Sequence, residues 1–215
     1  MYRNFVKSLM VTVGMGMVLS ESSAYGFSHK YLNQTRSGTK TNVFVSQGVE
    51  GEYGKYTLNS KDEAANGASR SGVQNWQGYG LRTAVGVEVM KFIQFSANHT
   101  LSNMRTGGGA VQRLSGSKLG GEVRFVFESP LGNLEAGAGA LGSRLDYQKA
   151  AEFASYYGSG TYYTMGVNYF MTPSVSVFGQ AKMFQENLVR TSGPESLGDF
   201  RTNTTAVGAG FSLWI

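Results

Sequence analysis

The chain of 215 residues contains no cysteine. It therefore forms no disulfide, offers no thiolate to a metal ion, has no thiol nucleophile, and cannot be a lipoprotein anchored through a cysteine. Proline is also rare, with three residues, whereas glycine contributes 30 and tyrosine 12. These absences remove several classes of redox, metal and thiol chemistry before any motif is considered.

Charge is scarce as well. Charged residues make up 15% of the chain, against about 25% in a typical soluble domain. The net charge is +5, and it becomes +4 (17 basic and 13 acidic residues) if Arg3, Lys7 and Glu21 are removed with an N-terminal signal. The positive charge is spread along the chain rather than clustered, so we predict no binding to nucleic acid.

Long apolar runs are missing beyond the N-terminus. A membrane-spanning helix needs about 18 consecutive apolar residues, so the sequence excludes a helical membrane protein. It does not exclude a membrane β-barrel, in which only every second residue faces lipid and average hydropathy hides the pattern. The mean hydropathy of -0.20 is consistent with either a soluble protein or such a barrel.

The N-terminus has the organisation of an export signal. Arg3 and Lys7 precede an apolar run at 8–20 that is too short to span a membrane, and Ser22 and Ala24 supply the small residues of a cleavage site. We predict a cleaved signal peptide at 1–24 and a periplasmic lead-in at 25–41.

The remainder alternates between apolar and polar residues with a period of two, which is typical of β-strands. The connections after the second, fourth and sixth strands are short, at 89–92, 128–133 and 170–174. Those after the odd-numbered strands are predicted to be long and polar, and include 57–75, 103–113 and 187–201. This alternation is typical of an up-and-down barrel with turns at one rim and loops at the other. The predicted strands are 42–56, 77–90, 92–102, 114–128, 133–146, 157–170, 174–187 and 202–215.

The two faces of each strand decide the kind of barrel. In the second strand a bulky row from Tyr79 to Val89 opposes a row of glycines that also carries Arg82 and Glu88. An eight-stranded barrel is barely wide enough for its own side chains, so the bulky rows belong outside, against lipid. We therefore predict an all-β, eight-stranded, antiparallel up-and-down transmembrane β-barrel over 42–215.

The same parity places charges of both signs in the barrel interior. Buried charges are tolerable only when they are paired, so we predict a salt-bridge network. Such a network can act as an ion path with exchangeable pairs, or simply as a polar plug that replaces a hydrophobic core. The predicted interior charges are Glu50, Glu52, Arg82, Glu88, Glu122, Arg124, Glu135, Lys182 and Glu186.

The last strand carries an alternating apolar row: Val207, Ala209, Phe211, Leu213 and Ile215. This row resembles the C-terminal sorting signal of bacterial outer-membrane barrels, which the barrel insertion machinery recognises, although Ile215 stands where that signal usually has phenylalanine. The pattern of 25–215 as a whole resembles the small eight-stranded outer-membrane barrels. These include the transmembrane domain of outer-membrane protein A, the outer-membrane protein X group and the opacity-type adhesins. The resemblance implies a Gram-negative outer-membrane location.

Some small barrels edit lipid A, and the lipid A deacylases carry a His-x-Ser-Asn motif. Here His99 and Ser102 are three residues apart, which places them on opposite faces of a regular strand. We predict no catalytic residue, no cofactor and no metal site. The aromatic residues near strand ends are predicted to form interfacial girdles; they are Tyr79, Tyr157, Tyr163, Tyr169 and Trp76.

These features favour a non-enzymatic surface protein that acts in membrane integrity or in adhesion to host surfaces. The alternatives are a narrow, porin-like pore or small-solute conduit, and a lipid A-modifying hydrolase. The expected partners are outer-membrane lipids and lipopolysaccharide, the insertion machinery and an extracellular protein bound through the loops, with the barrel itself a monomer. Mixed loop charges suit such contacts, and basic members can pair with lipopolysaccharide phosphates; these charges are Lys61, Asp62, Glu63, Arg70, Arg190, Glu195, Asp199 and Arg201.

Overall fold

A computed structural model describes residues 41–60, 70–106, 112–129, 132–149, 152–194 and 198–215. The predicted signal peptide at 1–24 lies outside the described residues, and so does the predicted lead-in at 25–41 except for its last residue. The loop charges at 61–63 and Glu195 lie outside them as well. No helix within the described ranges has the length and apolar character needed to cross a membrane.

Eight antiparallel strands form one closed barrel in which each strand pairs with its sequence neighbours and the last pairs with the first. Closure reaches the final residue, because Val43 and Ile215 exchange two backbone hydrogen bonds of 3.1 and 2.9 Å. The predicted fold class is confirmed. The strands are β1 (Thr41–Ser60), β2 (Arg70–Val89), β3 (Ile93–Thr106), β4 (Gln112–Ser129), β5 (Gly132–Lys149), β6 (Glu152–Thr172), β7 (Val175–Ser192) and β8 (Asp199–Trp214).

The strands are longer than predicted, and the connections are correspondingly shorter. Much of the predicted loops 57–75 and 187–201 is strand, since β1 runs to Ser60 and β8 begins at Asp199. The prediction of a long connection after the fifth strand is wrong, because only residues 150–151 separate β5 from β6. Among the described side chains of these segments, Leu188 and Phe200 are buried inside the barrel, whereas the outward residues beside them are largely polar. The apolar row has thus moved to the inner face, and this is why the predicted strands end too early.

Short turns lie at the rim that also holds both ends of the barrel. Between β2 and β3, Met90 and Lys91 adopt positive φ angles of 52° and 63°, and Phe92 donates its backbone N–H to Val89 at 3.3 Å. Two residues join β6 to β7. In outer-membrane barrels the short turns face the periplasm and the longer connections face outside. We call the rim with the short turns the inner rim and the opposite rim the outer rim.

The strands tilt strongly. When the paired residues are followed once around the barrel from Gly48, the path returns to β1 at Leu58, ten residues further along. Register partners on adjacent strands therefore differ in axial position by about 1.25 residues, and strands of such barrels lean roughly 35–45° from the barrel axis. With this shift, the heights of residues on different strands can be compared along the barrel axis.

The barrel has two zones with opposite organisation. From the inner rim to about the height of Tyr53, the exterior is largely apolar and the interior polar. On β1 this zone runs from Val43 to Tyr53, which is about 25 Å along the axis of a tilted strand and matches the lipid-facing band of outer-membrane barrels. Above it the exterior carries polar residues such as Lys55 and Asn75, while the interior becomes apolar.

The apolar interior of the upper zone corrects one sequence prediction. Trp76 is not an interfacial anchor: it is fully buried, with its ring centroid 5.6 Å from that of Tyr56. Position 76 shares the parity of inward Gly78, so the strand register turns it inside. The four predicted tyrosines do face outward. The buried set, here called the outer apolar layer, comprises Tyr56, Trp76, Met104, Leu114, Leu145, Tyr147, Ala154, Tyr156, Leu188 and Phe200.

A lysine placed on the apolar exterior is expected to destabilise the barrel according to its depth. Phe211 pairs with Gln47 of β1 and lies inside the lipid-facing band, whereas Leu213 pairs with Val45 and lies closer to the inner rim. Phe211→Lys should therefore cost about 2–4 kcal/mol, and Leu213→Lys distinctly less. The measurement is reversible urea unfolding in lipid vesicles, with the folded form identified by its altered gel mobility before boiling. Equal costs at the two positions would contradict the assigned inside and outside faces.

Candidate functional site in the barrel interior

The nine predicted interior charges all lie inside the barrel and are at most 8% exposed. They come from five strands, β1, β2, β4, β5 and β7, and occupy the alternate positions that point inward. Their placement follows from strand parity, and whether they have a role beyond packing remains a prediction. Around each of them the described residues supply charged or hydrogen-bonding partners.

Glu50 is one centre of the lower network. Its Oε1 accepts hydrogen bonds from Lys182 Nζ at 2.9 Å and from Gln180 Nε2 at 2.6 Å. Arg82 approaches the same oxygen with its Nε at 3.8 Å, and donates from its terminal nitrogen to Glu122 Oε1 at 3.0 Å. Arg82 therefore joins two carboxylates that lie on opposite sides of the interior, on β1 and β4.

Arg124 forms the second centre. It donates to Glu122 two residues earlier on the same strand, and to Glu135 Oε2 at 2.7 Å. The terminal nitrogen that donates to Glu122 also donates to Gln180 Oε1 at 3.1 Å, and this bond connects the second centre to the one around Glu50. Arg82 and Arg124 share Glu122, so the lower network is continuous from β1 through β4 to β7.

The lower network extends toward the inner rim through neutral amides. Gln94 Nε2 donates to Glu88 Oε2 at 3.1 Å and to Glu135 Oε1 at 3.2 Å. Asn42 Nδ2 donates to the other oxygen of Glu88 at 3.3 Å. Asn168 Nδ2 reaches Glu135 at 3.4 Å. The glutamates of this region are thus joined by amide donors from three strands.

A separate upper network surrounds Lys118, a residue that the sequence analysis missed. Lys118 Nζ lies 3.1 Å from Glu52 Oε2 and 3.5 Å from Glu186 Oε2. Ser102 donates to Glu52 at 2.6 Å, and Ser143 donates to Glu186. Lys118 has the same parity as Glu122 and Arg124 on β4, so strict application of the period-two rule would have found it.

Carboxylates outnumber cations in this interior. The buried charges of the described residues are six glutamates and four cations. The difference is compensated by donors from serine, glutamine and asparagine side chains, which hydrogen-bond several of the carboxylates directly. Such compensation is needed because an unpaired buried carboxylate costs several kcal/mol in desolvation.

Apolar and aromatic side chains close the interior at three levels. At the inner rim, Trp214 packs against Phe44 and Phe170, with ring centroids 4.9 and 5.3 Å away. Between the two networks, Tyr162 and Phe184 lie 5.4 Å apart. The outer apolar layer covers the upper network. The charged networks are therefore enclosed between side-chain layers rather than open to either rim.

His99 and Ser102 do not form a catalytic pair. The His99 side chain is exposed on the lipid-facing side, whereas Ser102 is buried and donates to Glu52. A regular β3 separates them as the three-residue spacing requires. The apolar row from Val207 to Ile215 lies on the exterior of β8, paired with β1 and β7. Its recognition as a sorting signal remains a prediction.

Comparison with known proteins identifies the fold. No protein-family model and no curated protein matches the chain. The solved structure of outer membrane protein AlkL in lipid bilayers has a TM-score of 0.56 at 12% identity, over 82% of this chain and 91% of that one. The outer membrane protein OprG of Pseudomonas aeruginosa has a TM-score of 0.51 at 10% identity, over 84% and 98%. The fold is that of the small outer-membrane β-barrels, and the apolar exterior agrees with a place in the bacterial outer membrane.

Removal of Arg82 should destabilise the barrel without unfolding it in the membrane. Arg82→Ala leaves Glu122 and Glu50 with fewer cationic partners in a buried site, and we expect a loss of about 3–5 kcal/mol. The measurement is the free energy of unfolding in urea, with exposed Arg201→Ala as the control, for which we expect a change within about 0.5 kcal/mol. If Arg82→Ala were as stable as the control, the interior network would not hold the strands together.

Proposed function

We propose that this protein is a non-enzymatic outer-membrane barrel whose filled interior makes it a rigid, non-conducting support for surface-exposed connections. Its role is then in membrane integrity or in adhesion to host surfaces. The observation that carries the proposal is the continuous filling of the interior, in which two charge networks alternate with three apolar or aromatic layers. In a barrel built in this way, packed side chains occupy the interior that a solute path would need.

The upper zone supports the same proposal. A transmembrane strand needs about 9–11 residues, whereas the strands here have 14 to 21. The excess lies at the outer rim, where the interior is apolar and the exterior is mostly polar, although Phe153 and Val189 are exposed there. This section stands above the lipid-facing band, with its own hydrophobic core. Its effect is to raise the outer ends of the strands above the bilayer.

A conduit is less well supported by the interior contacts. An ion crossing the barrel would have to separate Arg82 from Glu122 and Lys118 from Glu52, and each separation exposes an uncompensated charge in a dry site. It would also have to displace the ring of Trp214 and the outer apolar layer. The energy of these steps opposes steady conduction through the folded barrel.

Planar-bilayer recordings test the proposal. We expect the refolded protein to insert without steady conductance, and Arg82→Ala to remain silent although it is less stable, because the inner and outer layers still close the barrel. Insertion is verified by protease protection of the same preparation. A reproducible ohmic conductance of the unaltered protein would contradict the proposal and favour a narrow pore. Conductance that appears only in Arg82→Ala would favour a gated path.

A second experiment separates the two roles that the proposal allows. Replacing residues 61–69 by a short Asn-Gly turn keeps the barrel but removes one surface connection. If the role is adhesion, bacteria that carry this variant should attach less to host cells while their resistance to detergent is unchanged. If the role is membrane integrity, attachment and resistance should both stay at the level of the unaltered protein, and only deletion of the whole barrel should lower resistance.

A further inference from the structure

Five basic side chains form a belt on the outside of the upper zone. They are exposed and point outward from five different strands. After correction for the strand shift of about 1.25 residues per strand, they lie within about three residues of one another in height, or roughly 10 Å. The belt lies directly above the apolar exterior. Its members are Lys55, Arg105, Arg113, Arg144 and Arg201.

Two members of the belt face each other across adjacent strands. Arg105 of β3 and Arg113 of β4 are direct register partners on the same outward face. Side chains in such positions start only about 5 Å apart, and like charges placed there repel. Their other register partners are neutral, Gln77 on β2 and Gln148 on β5. Within the described ranges neither arginine makes a hydrogen bond or an ion pair.

The nearest acid does not neutralise this pair. Asp146 of β5 lies diagonally below Arg113, and its carboxylate accepts a hydrogen bond from Ser155 at 2.8 Å. The three arginines of this wall thus have one carboxylate near them, since Arg144 lies two residues before Asp146 on β5. The β3–β5 wall therefore has a local excess of positive charge at the height where the lipid-facing band ends.

A shallow groove of about 480 Å³ lies immediately below the arginine pair. Its upper part is polar, with Asn103, Ser115, Ser117 and the carboxylate of Asp146, which can accept a hydrogen bond from a ligand hydroxyl. Asn103 Oδ1 is covered and has no hydrogen-bond partner among the described residues. Its lower part is apolar, with Leu81 and Leu101 continuing into the lipid-facing band. The groove has Arg144 on its side. A ligand that fits it has an anionic group above, hydroxyl or amide groups in the middle and hydrocarbon below.

We propose that the β3–β5 wall binds a phosphorylated lipid A headgroup of lipopolysaccharide, with one phosphate between Arg105 and Arg113 and an acyl chain over Leu101 and Leu81. The proposal rests on the outer-membrane orientation given above. Phosphate oxygens accept paired hydrogen bonds from guanidinium groups, and an anion between the two arginines relieves their repulsion. The amphipathic groove favours a lipid over a free anion, because a free anion would leave the apolar part of the groove uncovered.

The opposite wall offers a matched control at the same height. Lys55 and Arg201 lie diagonally on β1 and β8, so they too are two neighbouring outward cations. There, however, Arg201 Nε donates to Asn187 Oδ1 at 3.3 Å, and the surrounding groove is lined by neutral Gln185 and Asn203. Removing both cations changes the net charge by the same amount as removing Arg105 and Arg113, but leaves the proposed site intact.

The experiment compares lipid binding by the refolded chain and two double variants, Arg105→Gln/Arg113→Gln and Lys55→Gln/Arg201→Gln. Native mass spectrometry in detergent counts bound bisphosphorylated lipid A, dephosphorylated lipid A and phosphatidylglycerol, and inorganic phosphate is added as a competitor. We expect one preferred lipid A per barrel. The affinity should fall at least tenfold in Arg105→Gln/Arg113→Gln and stay within threefold in the control variant. Without lipid, Arg105→Gln/Arg113→Gln should unfold at an equal or higher temperature, since a repulsion has been removed.

Several results would overturn the proposal. An equal loss in both double variants indicates a diffuse response to charge, and no loss in either places the lipid elsewhere. Equal binding of dephosphorylated lipid A would show that the phosphate does not contribute to binding. Equal binding of phosphatidylglycerol would show that the site does not select a glycolipid. Complete competition by millimolar inorganic phosphate assigns the site to a free anion. These outcomes are independent of conductance, because the groove lies outside the barrel and the filled interior is unchanged in every variant.

Discussion

Charge pairing inside a closed wall is the constraint on which this structure depends. An eight-stranded barrel has room inside only for its own side chains, and among the residues that the structure describes ten of the interior side chains are charged. The glycines of the inner face provide the space. A Cβ added at Gly80 would lie 2.7 Å from Glu52 Oε1, and one at Gly208 would lie 2.7 Å from Glu50 Cγ. Larger residues at these positions would displace the carboxylates from the cations that neutralise them.

The change of organisation along the barrel axis follows from the surroundings of each zone. Where lipid surrounds the wall, the apolar residues face outward and polar groups must satisfy one another inside. Above the lipid, water and headgroups can solvate the exterior, so the same alternation buries Tyr56 and Trp76 and exposes Lys55. The strand parity is constant throughout. Only the face that carries the apolar residues changes, and the basic belt marks the height of that change.

Most of the lipid-facing zone could be predicted from sequence. Eight strands and the inward position of residues such as Arg82 and Lys182 follow from period-two alternation combined with the small interior of the barrel. The upper zone was missed because polar residues in 57–75 and 187–201 have the composition of loops. The burial of Trp76 was missed for the same reason. The individual ion pairs could not be predicted at all. Arg82 contacts Glu122 across a tilted barrel, and no local sequence pattern predicts the register shift of ten residues that brings them together.

The arginine pair on the outer wall could not be predicted from the sequence alone. Composition indicates that basic residues exist and are dispersed, and it gives no reason to connect Arg105 with Arg113, which are separated by the connection at 107–111. Only the register of β3 and β4 makes them direct neighbours. The pairing of the interior charges and the approach of the two exterior arginines thus both follow from strand register.

The most direct test of charge pairing as the organising interaction is a double-mutant cycle between Arg82 and Glu122. Unfolding free energies in lipid vesicles are measured for the unaltered protein, Arg82→Met, Glu122→Gln and the double variant. If the two side chains neutralise each other, the double variant loses less stability than the two single losses together, with a coupling energy of about 1–3 kcal/mol. Additive losses would show that the charges are buried independently, and would contradict the account.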